Sequence, residues 1–385
     1  MARVLFVSNG HGEAAIADRI AQELHALHPG VEVDHLALVG EHSTQAMREV
    51  GPRQTMPSGG LIAMGQVKNI TRDLRAGLVG LTLAQRAFLA RSRGDYDLAV
   101  AVGDVFALLM ALAARVQTSF VGTAKSVRVA PYGAMERRVL RRARDVFVRD
   151  DATAQRLRAQ GVDASAPGNV IVDLFAAPDD PHADLAARDF VPAIAVLPGS
   201  RASAYGDARF LLDVVRRAAR ERPSLGALLS VAPMLDPLEY ERVLRDDGWE
   251  IASRQDPRVP FVARSDGRDI VRAWRGPLGP LLSRVQVVIG QAGTANEAAA
   301  SAGIPVMAFE LGNDRKTAWY RMRQVGLLGD ALAIAPGEPD LAARELGALL
   351  DDAPRRVAMG AAGRANMGPP GGALAIARAL AARIA

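Results

Sequence analysis

Val4-Leu5-Phe6-Val7-Ser8-Asn9-Gly10-His11-Gly12-Glu13-Ala14-Ala15 reads as a strand, a turn and a helix start in immediate succession. Four apolar residues run into Ser8, two glycines follow, and a helical pattern continues from Glu13 to Leu27. That order marks the opening of a parallel α/β unit. The glycines let the backbone approach a ligand, and the amides of a helix start favour an anion. Gly10, Gly12 and Ala15 also fit the G-x-G-x-x-[G/A] spacing of a dinucleotide loop, with Asp34 ending the second strand as the ribose-binding acid. This spacing keeps an NAD- or FAD-dependent oxidoreductase open, although many α/β enzymes without a dinucleotide have a glycine-rich first loop. His11 is placed to act as a base toward a substrate hydroxyl, or to cap the turn or face solvent.

The alternation continues outward. Val31–Val39 is the next strand. Residues 45–94 are less regular, with a break at Pro57-Ser58-Gly59-Gly60 and an apolar helical piece at Leu74–Leu89. Strands follow at Leu98–Val102, Ser119–Gly122 and Val146–Val148. After a hinge-like Ala177-Pro178-Asp179-Asp180-Pro181 the pattern restarts, with strands at Ala193–Leu197, Leu225–Val231, Val285–Ile289 and Pro305–Phe309. Helices at Ala208–Arg220, Pro237–Asp246 and Arg315–Val325 lie between them, and the tail from Asp340 is almost all helical, broken once at Met367–Gly372. Repeated β-then-α order implies parallel sheets with right-handed crossovers. The expected fold is α/β, with two Rossmann-like doubly wound domains facing a cleft. The expected domains are residues 1–176 and 182–366, with 367–385 a helix returning toward the first.

Composition removes several classes. The 385 residues contain no cysteine, which excludes a disulfide scaffold, a thiolate zinc site and a cysteine nucleophile. The longest apolar run, Leu98–Ala114, is interrupted by Gly103-Asp104 and falls short of the roughly 20 residues that a bilayer requires. Met1-Ala2-Arg3 leads straight into a strand rather than a signal peptide, so a cytoplasmic location is expected. Net charge is +5, with arginines clustered at Arg137, Arg138, Arg141, Arg142, Arg144 and Arg149. Such a patch is a solvated helix face or an attraction for phosphorylated ligands. No nucleic-acid-binding motif accompanies it, so no nucleic-acid partner is expected. Leu74–Leu89 beside the arginines admits two readings, a packed core helix and a peripheral contact with the inner face of a membrane.

Three further segments carry chemistry. Asp104 is a lone acid closing the apolar strand Leu98-Ala99-Val100-Ala101-Val102-Gly103, a position suited to a base and equally to the N-cap of a following helix. Leu197-Pro198-Gly199-Ser200-Arg201 follows a strand. Gly199 frees its backbone, Ser200 offers a hydroxyl, and Arg201 offers a fork that matches phosphate oxygens. Gly290-Gln291-Ala292-Gly293-Thr294-Ala295-Asn296-Glu297 follows another strand and opens a helix of small residues, whose amides suit a diphosphate, with Glu297 placed for ribose hydroxyls. There is no Walker A motif, and no D-x-D follows a strand as in metal-dependent sugar transferases. No metal and no resident cofactor are expected.

These motifs together resemble lipid-A-disaccharide synthase and its relatives in the GT-B superfamily. The resemblance runs through most of the length and is strongest at Leu197–Arg201 and Gly290–Glu297, with Gly103-Asp104 and Pro167-Gly168-Asn169…Asp173 also similar. It departs from the synthase at the first loop, where Ser8-Asn9-Gly10-His11-Gly12-Glu13 stands in place of that family's Ser-Gly-Glu-Ala-Ser-Gly-Asp. The resemblance implies an inverting, metal-independent hexosyl transfer in lipid biosynthesis. An (N-acyl)glucosamine-type sugar would pass from a UDP-sugar to a lipid-linked or phosphorylated sugar acceptor. Asp104 or His11 would be the catalytic base. Gly10, Gly12, Glu13, Gly199, Ser200, Arg201, Gln291, Gly293, Thr294, Asn296 and Glu297 would bind substrate. Three alternatives use the same residues: a nucleotide-sugar 2-epimerase on the same fold, an oxidoreductase using the first loop, and a non-catalytic nucleotide-sugar-binding protein.

Overall fold

The structure, a computed structural model, describes residues 1–40, 44–54, 74–123, 125–176, 178–201, 203–310 and 315–384, with the backbone alone at residues 11 and 315–320. The chain divides into two compact units, Met1–Leu174 with Gly368–Ala385, and Phe175–Met367. The break at Pro57–Gly60 and the hinge residue Ala177 lie outside the described residues.

The first unit is built on six parallel strands: β1 (Arg3–Ser8), β2 (Glu32–Ala37), β3 (Arg48–Glu49), β4 (Leu98–Gly103), β5 (Gln117–Gly122) and β6 (Asp145–Val148). Their order across the sheet is β3-β2-β1-β4-β5-β6. Val4, Leu5, Phe6 and Val7 are fully buried, as is Leu98 to Val102, because helices cover both faces of a parallel sheet. The helices are α1 (His11–Leu27), α2 (Leu78–Arg91), α3 (Val105–Ala111), α4 (Ala134–Leu140), α5 (Asp151–Ala159) and the short α6 (Val170–Asp173).

Helix α2 packs through Leu81, Gln85 and Leu89, and the Gln85 amide donates to the carbonyls of Ala37, Leu38 and Pro52. Its inner face is therefore a core face. No helix among the described residues is long and apolar enough to cross a membrane. The final helix, Gly372–Ile384, packs on α1, burying Ala373, Ile376, Ala377 and Leu380. The Asp173 carboxylate holds its start, accepting the amides of Gly371 at 2.6 Å and Ala373 at 2.7 Å. Gly372 comes so close to the backbone that a Cβ there would lie 2.5 Å from the Gly168 carbonyl oxygen.

The second unit has eight strands: β7 (Ala193–Leu197), β8 (Gly226–Ser230), β9 (Glu250–Ser253), β10 (Phe261–Ser265), β11 (Arg268–Trp274), β12 (Val287–Gly290), β13 (Val306–Phe309) and β14 (Leu332–Ala335). They run in the order β14-β13-β12-β7-β8-β11-β10-β9. The pairs β9–β10 and β10–β11 are antiparallel, so the parallel expectation fails at this edge. Helix α7 (Pro181–Ala187) occupies part of the expected linker. Asp180 caps it through His182 N, Pro181 sits at its first position, and Arg284 pins it through Asp184 at 2.7 Å. Helix α8 (Ser203–Glu221) lays Ala204, Ala208, Leu211, Leu212, Val215, Ala218 and Ala219 on the sheet at helical spacing. The remaining helices are α9 (Pro237–Asp246), α10 (Leu278–Leu282), α11 (Thr294–Ser301), α12 (Arg315–Leu328), α13 (Pro339–Asp351) and α14 (Ala353–Met367). Each unit closes over its own apolar core.

Candidate functional site

In an open doubly wound sheet, ligands bind beyond the carboxyl ends of the strands, where the strand order reverses. The first unit reverses between β1 and β4. The loop after β1 is Asn9-Gly10 and the residue after β4 is Asp104, so two segments far apart in sequence meet there. Asn9 Nδ2 donates to Asp104 Oδ2 at 3.2 Å. Asp104 is also the N-cap of α3, accepting the Ala107 amide at 3.0 Å, so the capping reading of this acid holds in full. Gly10 precedes α1 at φ 119° with no side-chain cap, and Gly12 faces open space in the first turn. His11 is the first residue of α1, and its side chain lies outside the described residues.

Sequence reading assigned Asp34 to the end of the second strand as the acid of a dinucleotide loop. It sits in mid-strand instead, opposite Leu5, and is 2% exposed. Arg3 Nη2 (2.9 Å), Arg48 Nε (2.8 Å), Arg48 Nη2 (3.0 Å) and the Tyr96 hydroxyl (2.8 Å) all donate to it. A carboxylate so occupied offers nothing to a ribose, so the acid that the oxidoreductase alternative calls on is already committed within the fold.

The second unit reverses between β7 and β12. The Leu197 carbonyl, ending β7, accepts the amides of Gln291 and Ala292, both at 3.2 Å. These bonds tie the Pro198-Gly199-Ser200-Arg201 turn to the turn after β12. Gly290 permits this, since a Cβ there would lie 2.7 Å from the Leu197 carbonyl oxygen. Gly199 holds φ 122°, and Ser200 and Arg201 are exposed. Helix α11 begins after Gly293 with no side-chain cap, and Gly293 and Thr294 are exposed. The start of α11 is thus uncapped and exposed, in a turn tied to the one that carries Arg201, and uncapped helix-start amides and an arginine both suit phosphate oxygens.

The other predicted residues of this segment build the turn. Gln291 Nε2 donates to the Phe309 carbonyl at 3.1 Å, and Arg321 donates to the same oxygen. Asn296 is 1% exposed, its Nδ2 donating to Gly290 O and to Gln324 Oε1, both at 3.3 Å. Gln324 Nε2 in turn reaches Gly293 O at 3.3 Å. Glu297 is 7% exposed.

Sequence reasoning missed several neighbours of the first site. Lys125 Nζ bonds Glu136 Oε2 at 2.7 Å and lies 5.8 Å from the Tyr132 ring. Burial, then the charges of Glu136, Asp104 and Asp150, raise the Tyr132 phenol, with Arg149 opposing. A Cβ on Gly122, paired with Gly103 in the sheet, would meet that hydroxyl. No local motif marks these residues; β5 simply ends there. Of the arginine cluster, Arg149 is 7% exposed, Arg141 donates to the carbonyls of Gln160 and Gly161, and Arg137 to Tyr132 O.

No family model matches the chain, and no curated protein matches it in sequence. Solved structures match it along its whole length. A UDP-N-acetylglucosamine 2-epimerase from Neisseria meningitidis, bound to UDP-N-acetylglucosamine, is 14% identical with a TM-score of 0.59, covering 99% of each chain. MnaA of S. aureus, solved with UDP, is 13% identical at a TM-score of 0.58, over 97% of this chain and 94% of that one. Apo UGT2 of Phytolacca americana is 12% identical at 0.62, over 100% and 99%. The fold is therefore the two-domain GT-B architecture. The lipid-A-disaccharide-synthase reading does not survive at the level of function. Transfer to a lipid-linked acceptor, the function expected from sequence, is not what the matches support: the chain shares its fold over its full length with UDP-N-acetylglucosamine 2-epimerases.

Proposed function

We propose that this protein is an enzyme that inverts carbon 2 of a UDP-linked N-acetylhexosamine. The observation that carries the reading is the full-length likeness to a 2-epimerase whose structure holds UDP-N-acetylglucosamine. The geometry of each unit supports it. In the second unit, Arg201 and the uncapped start of α11 at Gly293 and Thr294 supply what a UDP diphosphate requires. In the first unit, Asp104 sits at the switch point as a carboxylate able to exchange a proton.

Carbon 2 of such a sugar has no adjacent carbonyl to acidify its hydrogen. Inversion there follows if the C2 proton leaves to a base, its electron pair forms a C1=C2 double bond, and the C1–oxygen bond breaks to release UDP. A proton then returns to the opposite face of C2 as the diphosphate oxygen re-adds at C1. Cationic and amide donors at the diphosphate lower the barrier to its departure. The test is incubation with UDP-N-acetylglucosamine and no acceptor, in D2O, read by proton NMR. The C2 epimer should form with deuterium at C2. A sugar nucleotide recovered unchanged and unlabelled would overturn the proposal.

A further inference from the structure

We infer that Glu13 is the second proton-exchanging carboxylate of this site, an assignment that rests on the epimerase reading and deepens it. Inversion at C2 removes a proton from one face and delivers one to the other. A single carboxylate fixed beside a bound sugar reaches one face, so the reaction calls for two groups. Glu13 stands in the first turn of α1, and its side chain lies in a notch made by two glycines that meet at the β1/β4 switch point. A Cβ built on Gly103 would be 2.9 Å from Glu13 Cγ, and one on Gly10 would be 2.8 Å from Glu13 Oε2. Both glycines have φ near 120°, so backbone conformation and side-chain space exclude other residues at both positions. The room they leave is filled by the Glu13 stem and one carboxylate oxygen. Gly103 immediately precedes Asp104, so the notch sets Glu13 against the end of the strand that presents Asp104. Asp104 is oriented by the Ala107 amide and by Asn9, and Glu13 by the glycine notch. The two carboxylates are held separately at one strand end, and the assignment gives one to each face of C2.

Glu13→Gln and Asp104→Asn, assayed in D2O from each C2 epimer, test the assignment. Loss of a general acid–base group is expected to slow epimerisation by about 10²-fold. In each variant, one epimer as starting material should still exchange its C2 hydrogen for deuterium within about tenfold of wild type, because the remaining carboxylate removes and returns the proton on its own face. The exchanging epimer should be opposite in the two variants. Melting temperature reports whether each variant is folded. Glu13→Gln that epimerises at the wild-type rate, or that loses exchange from both epimers together, overturns the assignment alone. A wild type that neither epimerises nor exchanges overturns the epimerase reading, and the assignment with it.

Discussion

A buried acid and a half-buried one in the first unit, Asp34 and Glu49, hold their charge against the cost of burial, and each does so through partners that are part of the fold. Burial pushes the Asp34 carboxyl up, but hydrogen bonds from Arg48 and Tyr96, the Arg48 charge and a hydrogen bond from Arg3 bring it below its ordinary value of 3.8. Burial likewise raises Glu49, and the hydrogen bond and charge of His35, with Thr44 and Arg53, bring it below 4.5. Glu49 Oε1 lies 2.8 Å from His35 Nδ1, and His35 Nε2 shares a 2.8 Å hydrogen bond with Ser8 Oγ. This chain has the connectivity of a hydrolase triad, but Ser8 and His35 are fully buried, so it fixes strands β1 to β3 and presents no nucleophile. An acid whose folded value is depressed stabilises the native state above its unfolded value, and that contribution is lost as pH falls through the folded value. Stability measured by urea unfolding should therefore be level from neutral pH down to about 5 and fall progressively below the ordinary values of 4.5 and 3.8. Asp34→Asn leaves Arg3, Arg48 and the Tyr96 hydroxyl without their charged acceptor. It should cost on the order of 2 kcal/mol at pH 7 and flatten the acid limb. An unchanged acid limb in Asp34→Asn would assign the pH dependence elsewhere.

At the scale of elements, the paired turns after β7 and β12 depend on strands that approach closely enough for Leu197 O to accept two amides. Gly290→Ala puts a methyl 2.7 Å from that oxygen. Overpacking of this kind costs about 1–3 kcal/mol, and here the strain falls on the turn itself. The variant should lose UDP affinity by more than its global destabilisation accounts for, measured by titration calorimetry at a temperature where it remains folded. Affinity equal to wild type would separate the strand contact from the ligand turn. The two turns were legible in sequence because each signal is local: an apolar run, a glycine, then a helix start. The same locality explains the misses. Arg268-Asp269-Ile270-Val271-Arg272-Ala273-Trp274 mixes charge with apolar residues, and its antiparallel pairing with Phe261–Ser265 is set by the neighbouring strand. Strand β3 is two residues long. Asp34 is defined by Arg48 and Tyr96, 14 and 62 residues away, which no motif spacing encodes. Helix α7 did carry a legible signal, Asp180 before Pro181, hidden within a segment read as a hinge.

Over the whole molecule, two sheets with separate apolar cores make each unit a cooperative body of its own. The net charge of +5 is unevenly spread, since residues 74–144 hold twelve Lys and Arg against four Asp and Glu. Anionic ligands are thus drawn to the chain in general, and a specific nucleotide site must be told apart from that attraction. Position does so, because the proposed reading puts the diphosphate at Arg201 and the start of α11, both in the second unit. UDP at a hundred times its dissociation constant adds about 2.7 kcal/mol to whatever unfolds around it. For a unit of about 190 residues that corresponds to a rise of roughly 5–10 °C in its transition. Calorimetry should resolve this as an upward shift of one transition, with amide exchange slowed at 197–201 and 290–297. Arg201→Ala should remove most of the shift, and inorganic phosphate at equal ionic strength should not reproduce it. NAD should leave both units unmoved, since Asp34 is already committed to Arg3, Arg48 and Tyr96. Stabilisation of the first unit by UDP, with Arg201→Ala indifferent, would place the nucleotide on the wrong sheet and end the epimerase proposal in its present form.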